Sequence, residues 1–156
     1  AAFDPIHAEL ISKYAYRNHE GHFILCWDFG RYVNHSFNSN CLSTGYDFEI
    51  AIRDIKADEE LTDDYGYLNV MEPFKARPER STRKYVLPDD LLRYYKMWDG
   101  IVESCVPLIF EVNQPLISLI PQSDLTEIRD FMEGKKTMRS ILSHYFPHAH
   151  HQAYLQ

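Results

Sequence analysis

The sequence predicts an α+β protein, with its strands in the first half of the chain and its helices in the second. Three observations predict this. Phe48, Ile50 and Ile52 alternate with Glu49, Ala51 and Arg53, the period-two pattern of a strand with one apolar face. Phe23 to Trp27 is a short apolar run between Gly21 and Gly30, which reads as a buried strand. From Asp89 onward, Leu91, Tyr95, Trp98, Val102 and Cys105 fall on one helical stripe.

In chain order, Asp4-Pro5 is an N-cap and first-turn pair that opens a helix through Ile6, Leu10 and Ile11 to about Tyr14. The two strands follow. After Tyr65 the texture changes, because Gly66, Pro73 and Pro78 punctuate a charged segment that reads as a loop or linker. Pro88-Asp89 then starts the long helix. Leu125, Ile128 and Met132, and then Met138, Ile141, Leu142 and Tyr145, predict two further helices separated by Gly134. The apolar stripes read as core. The resulting organisation is a core over 1–72, a linker over 73–88, a helical extension over 89–146 and a tail over 147–156.

The 156 residues, 45% of them apolar, suit one compact domain with extensions. Cys26, Cys41 and Cys105 are an odd number without CxxC spacing, which fits neither a disulfide framework nor a zinc cluster and favours a reducing, intracellular setting. No apolar run reaches the ~18 residues of a membrane span, so no membrane partner is expected. Ala1-Ala2-Phe3-Asp4 lacks the plan of a secretory signal. The net charge of −7 argues against nucleic acid as the principal partner. The charge is uneven, with an acidic stretch from Tyr46 to Gly66 and a basic one from Lys75 to Lys84. An acidic rim for a basic peptide is one reading of the first stretch, but an ordinary solvated face is the reading favoured for a charge run alone.

Two polar blocks carry the chemistry. Asn34-His35-Ser36, with Asn38 and Asn40, concentrates hydrogen-bonding groups in one short loop, which suits a turn packed on a polar ligand or a turn that satisfies its own backbone. A hydrolase reading of His35 and Ser36 fails, because adjacent residues seldom supply a nucleophile and its base. Glu59, Glu60, Asp63 and Asp64 lack the ligand spacing of an EF-hand and read as solvated turn carboxylates. His144, His148, His150 and His151 are a candidate imidazole cluster, for which a terminal tail is the preferred reading, and no metal is expected.

Arg31-Tyr32-Val33-Asn34-His35-Ser36 with Asn40-Cys41, followed by Glu59-Glu60-Leu61-Thr62-Asp63-Asp64-Tyr65-Gly66, resembles the two C-terminal signature motifs of the SET domain. That is the fold of most protein-lysine methyltransferases. Phe37, Ser39 and Asp63 depart from the family pattern, which usually has cysteine, proline and an aromatic at those places. The resemblance implies a mostly β SET-type fold in which the two segments make a knot-like crossing, followed here by the helical C-terminal extension. It implies S-adenosylmethionine as cofactor, held by Asn34 and His35. Arg31, counted with Asn34, His35 and Phe74 among the cofactor-binding residues, and Asp64 would support that crossing and not react, and Tyr65 would be the catalytic tyrosine.

The resemblance further implies a protein or peptide substrate with a target lysine, histone lysines included. Asp63 takes the place of an aromatic that narrows the lysine channel. It either meets the ammonium or turns outward, and the second is preferred. The cysteine-rich zinc-binding segment usual after the domain is absent, so the channel and the adenine need another cover. Tyr67, Phe74 and the helix containing Trp98 are the candidates. No Gly-x-Gly strand precedes Asn34 where the family has one, and an incomplete chain is the favoured explanation because Tyr65 is retained. Two functional readings stand: a lysine methyltransferase, favoured by Asn34, His35 and Tyr65, and a non-catalytic SET-like module that binds a protein, favoured by the missing Gly-x-Gly.

Overall fold

The computed structural model describes residues 4–147. Asp4 accepts the backbone N–H groups of Ile6 and His7 and so caps α1 (Pro5–Tyr14). The chain then pairs β1 (Ala15–Arg17) antiparallel with β2 (Phe23–Leu25), turning through Gly21 at φ 82°. The apolar run was expected to be buried, and it is not: Phe23 is 54% exposed, Leu25 49% and Trp27 81%. The reason is that β1 and β2 form a two-stranded ribbon, and no third strand joins it among the described residues. The apolar residues of α1 share this fate, since Ile6 and Leu10 face outward instead of serving as core.

The middle of the chain is made of strands only two or three residues long: β3 (Asn34–His35), β4 (Cys41–Ser43), β5 (Glu49–Ala51) and β6 (Thr62–Asp63). β4 and β5 form a hairpin in register Leu42 to Ile50, with Asp47 at φ 60° in its turn. The predicted alternation holds, because Phe48, Ile50 and Ile52 pack against the core. β3 and β6 pair in parallel, Asn34 with Thr62 and His35 with Asp63. The segment expected to be a plain linker contains a second hairpin, β7 (Phe74–Lys75) with β8 (Tyr85–Val86). Its strands are too short for alternation to reveal them.

α2 (Asp90–Cys105) buries Leu91, Trp98 and Val102 of its predicted stripe, while Tyr95 and Cys105 are half-buried. Trp98 meets Tyr67 edge-on at 6.2 Å between ring centres. Burying an aromatic of about 150–250 Å² contributes on the order of 4–6 kcal/mol before entropy is counted. One cluster joins Leu42 and Tyr46 from the first hairpin, Tyr67, and the residues of α2, so the helical extension shares its core with the first half. α3 (Gln122–Met132) buries Leu125 and Ile128 but leaves Met132 43% exposed.

The last predicted helix is absent. Met138 and Ile141 are buried as expected, yet the segment has only a 3-10 turn over Ile141–His144. Its backbone is claimed by distant partners: Arg139 N–H donates to the Tyr46 hydroxyl at 3.1 Å and Ile141 N–H to Asp99 at 2.8 Å. Those bonds compete with helical ones. His144 stands 3.3 Å from Asp47, while His148, His150 and His151 lie outside the described residues. Among the described residues no group of three His, Cys, Asp or Glu is placed to hold a metal, and no helix is long and apolar enough to cross a membrane. The three cysteines are free.

Candidate active site

The parallel pairing of β3 with β6 brings the two polar blocks side by side, although 26 residues separate Asn34 from Glu60. Asn40 fastens them. It is 1% exposed, its amide donates to the Glu60 carbonyl at 2.8 Å, and its carbonyl oxygen accepts the Thr62 N–H at 2.9 Å. Asn34 reaches across to the Glu60 carboxylate at 2.5 Å. Ser36 N–H donates to the Asp63 carbonyl at 3.0 Å, continuing the pairing beyond β3.

Most of the acidic stretch is the solvated face expected, with Asp47, Glu49, Asp54, Asp58 and Glu60 exposed, but its last two carboxylates are not part of it. Asp63 and Asp64 are 3% and 2% exposed. The Arg53 guanidinium, with help from the Lys56 N–H and Asn40, lowers the Glu59 carboxyl to about 2.

Asp64 caps the short 3-10 turn Tyr65–Tyr67 by accepting the Gly66 N–H at 3.0 Å. Tyr65 N–H donates to His35 Nδ1 at 3.1 Å, and the Tyr65 hydroxyl donates to the Val33 carbonyl. The first bond makes Nδ1 the acceptor and leaves the His35 proton on Nε2. Nε2 is buried and has no partner among the described residues. Burial lowers the His35 pKa, against an upward pull from Asp64, so the ring is neutral. Burial also raises Tyr65, with Asp63 acting in the same direction. Tyr65 is a phenol at neutral pH, a donor and not a base.

Asn34, His35, Tyr65 and Phe74 line one cavity of about 190 Å³, together with Lys75 and Arg77. The His35 ring lies 5.4 Å from Tyr65 and 5.9 Å from Phe74. Hairpin β7–β8 therefore brings an aromatic to the cavity wall, and of the three candidates Phe74 is the one there. Trp98 and Tyr67 are buried in the core, so Tyr67 is corrected from channel residue to core residue, its hydroxyl directed to Glu49 at 3.3 Å.

Asp63 is corrected in direction. It turns away from the cavity but inward, toward Glu49, and not out to solvent. Burial first, and the neighbouring Glu49 carboxylate second, push its pKa well up. Burial raises Glu49 as well, so the pair disfavours two charges at once, and Asp63, the more buried of the two, is where burial opposes charge most. The same burial raises the Cys41 thiol to about 11, which makes it inert. Arg31 is corrected as well. It is exposed in the 3-10 turn Phe29–Tyr32, donates to the Tyr32 hydroxyl at 2.7 Å, and lies outside the cavity lining.

Two residues of the 73–88 segment escaped sequence reasoning. Glu79 accepts the Ser36 hydroxyl and the Phe37 N–H, both at 2.7 Å. Arg83 bonds Asp64 through both terminal nitrogens, reaches Asp90 of α2 at 2.7 Å, and lies 4.2 Å over the Phe37 ring. That packing gives a physical role to the phenylalanine that departs from the motif. The available signal was that one basic run faced one acidic run, without any indication of which pairs meet.

The SET domain model matches residues 6–66. This segment belongs to the SET-domain family. The match starts at α1 and ends at Gly66, so it covers more of the chain than the two motifs do. SET domains are usually protein-lysine methyltransferases. No curated protein and no solved structure matches the chain.

Proposed function

We propose that this protein transfers a methyl group from S-adenosylmethionine to a lysine side chain of a protein substrate. One observation carries the proposal: Asn34, His35 and Tyr65, which come from separate motifs, meet Phe74 around a single cavity. The residues fit part of the cofactor. Phe74 and Tyr65 offer ring surfaces to a flat heterocycle, and the orphaned Nε2–H of His35 is a donor that lacks a protein partner.

When bound, S-adenosylmethionine supplies an electrophilic methyl on a sulfonium. Asn34 and His35 would hold it, and Phe74 would cover it. Tyr65 keeps its proton and is fixed by its bond to the carbonyl of Val33, the residue before β3, so it orients a polar group without accepting a proton. The incoming lysine has to be neutral to attack. Its ordinary pKa of ~10.4 falls when the ammonium loses water, so an enclosed path removes the need for a strong protein base. Asp63 is turned from the cavity and its charge is disfavoured by burial, so it offers the ammonium no partner there. Most of the acceleration is then alignment, which supplies ~7–11 kcal/mol when reacting atoms are held near attack geometry.

A second reading, a non-catalytic SET-like module that binds a protein, is favoured by the cavity volume of about 190 Å³. Small-molecule sites usually enclose roughly 300–1,000 Å³. Calorimetric titration with S-adenosylmethionine separates the two. The methyltransferase reading predicts saturable binding that weakens about two- to thirteenfold in Phe74→Ala, as the loss of one aromatic contact of ~0.5–1.5 kcal/mol implies. Absence of binding favours the module.

A further inference from the structure

We propose that Arg83 is a positioning residue for Tyr65: by holding the Asp64 carboxylate, it keeps His35 Nδ1 available as the acceptor of the Tyr65 backbone N–H. The geometry is a short relay. Arg83 takes both oxygens of Asp64. Asp64 Oδ1 stands 4.0 Å from His35 Nδ1, the same nitrogen that accepts the Tyr65 N–H at 3.1 Å. A protonated Nδ1 is a donor and has no lone pair for that N–H. Without Arg83, the uncompensated Asp64 carboxylate would draw a proton to Nδ1, and the imidazole would turn from supporting the Tyr65 turn to bonding Asp64.

Burial is the main influence that keeps His35 neutral, and Arg83 is the charged group that acts in the same direction. The His35 side chain is 7% exposed and Asp64 2%, so water screens neither. Asp64, Glu79 and the Asp63 carbonyl favour protonation of His35, whereas burial and Arg83 oppose it. The remaining neighbours are the rings of Phe37, Tyr65 and Phe74, with Lys75 and Arg77 at the cavity wall. Arg83 is itself fixed by Asp90 and by the rings of Tyr94 at 4.3 Å and Phe37 at 4.2 Å. The helical extension thus reaches the site through one guanidinium. The activity arm of the test rests on the methyl-transfer reading, whereas the spectroscopic arm does not.

The test is an NMR pH titration of the His35 ring in the cofactor-free protein, for wild type, Arg83→Met, Arg83→Lys and Asp64→Asn. Arg83→Met is expected to titrate at higher pH, and its Tyr65 amide resonance to move in step with His35. Arg83→Lys, which keeps the charge but not the fork, is expected to titrate close to wild type. Asp64→Asn is expected to titrate lower, and it keeps the test decisive should Arg83→Met fail to fold. Methylation of a lysine peptide by Arg83→Met, taken as a ratio to wild type at the same pH, is expected to be about 100-fold down at low pH and to recover as pH rises. An unchanged His35 titration in both Arg83→Met and Asp64→Asn overturns the proposal. Shifted titrations with no methyl transfer by wild type uphold the positioning role and overturn the methyltransferase reading.

Discussion

Replacing Asn40 with alanine removes the clasp between the two motifs and leaves its partners in place. Two buried bonds vanish, from the amide to the Glu60 carbonyl at 2.8 Å and from the Thr62 N–H to the side-chain oxygen at 2.9 Å. A buried polar group left without a partner costs about 1–3 kcal/mol. The contact to Glu59 at 3.3 Å adds nothing reliable, because that carboxylate already bonds Arg53. The backbone bond from Ile52 N–H to the Asn40 carbonyl survives the substitution. Thr62 opens β6 and Glu60 lies just before that strand, and both bonds are partly buried, so the loss should total about 2–4 kcal/mol. For a chain of this size that corresponds to a fall in Tm of very roughly 4–16 °C. Urea denaturation of the cofactor-free protein, followed by fluorescence with linear extrapolation, measures it. A loss below about 0.5 kcal/mol with an unchanged m-value would refute the view that Asn40 joins the motifs.

Three further outcomes follow from the same geometry. Asp63 has a folded pKa above its unfolded value, so its favourable contribution is complete below about pH 4 and declines as pH rises toward the folded pKa. Asp63→Asn mimics the protonated form, and thermal melts should therefore show the variant gaining on wild type from pH 4 to pH 8, whereas a constant gap would reject the protonated carboxyl. Gly66→Ala places a Cβ 2.8 Å from Arg83 Nη2 and 2.9 Å from the Trp98 ring, and overpacking of this kind costs about 1–3 kcal/mol, measurable in the same melts. Tyr65→Phe forfeits one hydrogen bond to Val33 and should lose only about 0.5–1.5 kcal/mol of stability, so any large effect it has on activity belongs to the site.

Much of the scaffold was legible in the residues. Asp4-Pro5 marked the start of α1, the Phe48 to Ile52 alternation marked β5, and the Leu91, Trp98, Val102 stripe marked the buried face of α2, because each is a local pattern. The failures share one cause. Phe23 to Trp27 reads as buried from its composition, but burial requires a covering layer, and that is a long-range property. Met138 to Tyr145 has helical spacing, yet Asp99 and Tyr46 take the backbone bonds from far along the chain.

The site divides in the same way. Asn34, His35 and Tyr65 were marked by motif and Phe74 by the need for an aromatic cover, and they converge on one cavity. Tyr67 was separated from it by the attraction of the core, and Asp63 by a second carboxyl. Arg83 escaped notice because its meaning depends on Asp64 and Asp90, which the fold brings together from opposite sides of it in sequence.

The most direct test of the methyltransferase account is transfer of labelled methyl from S-adenosylmethionine to a lysine peptide array, with products read by mass spectrometry for wild type and Tyr65→Phe. The account predicts lysine methylation by wild type and its near-complete loss in a folded Tyr65→Phe protein. Equal methylation by the two proteins, or none by a wild type that binds the cofactor, would contradict it.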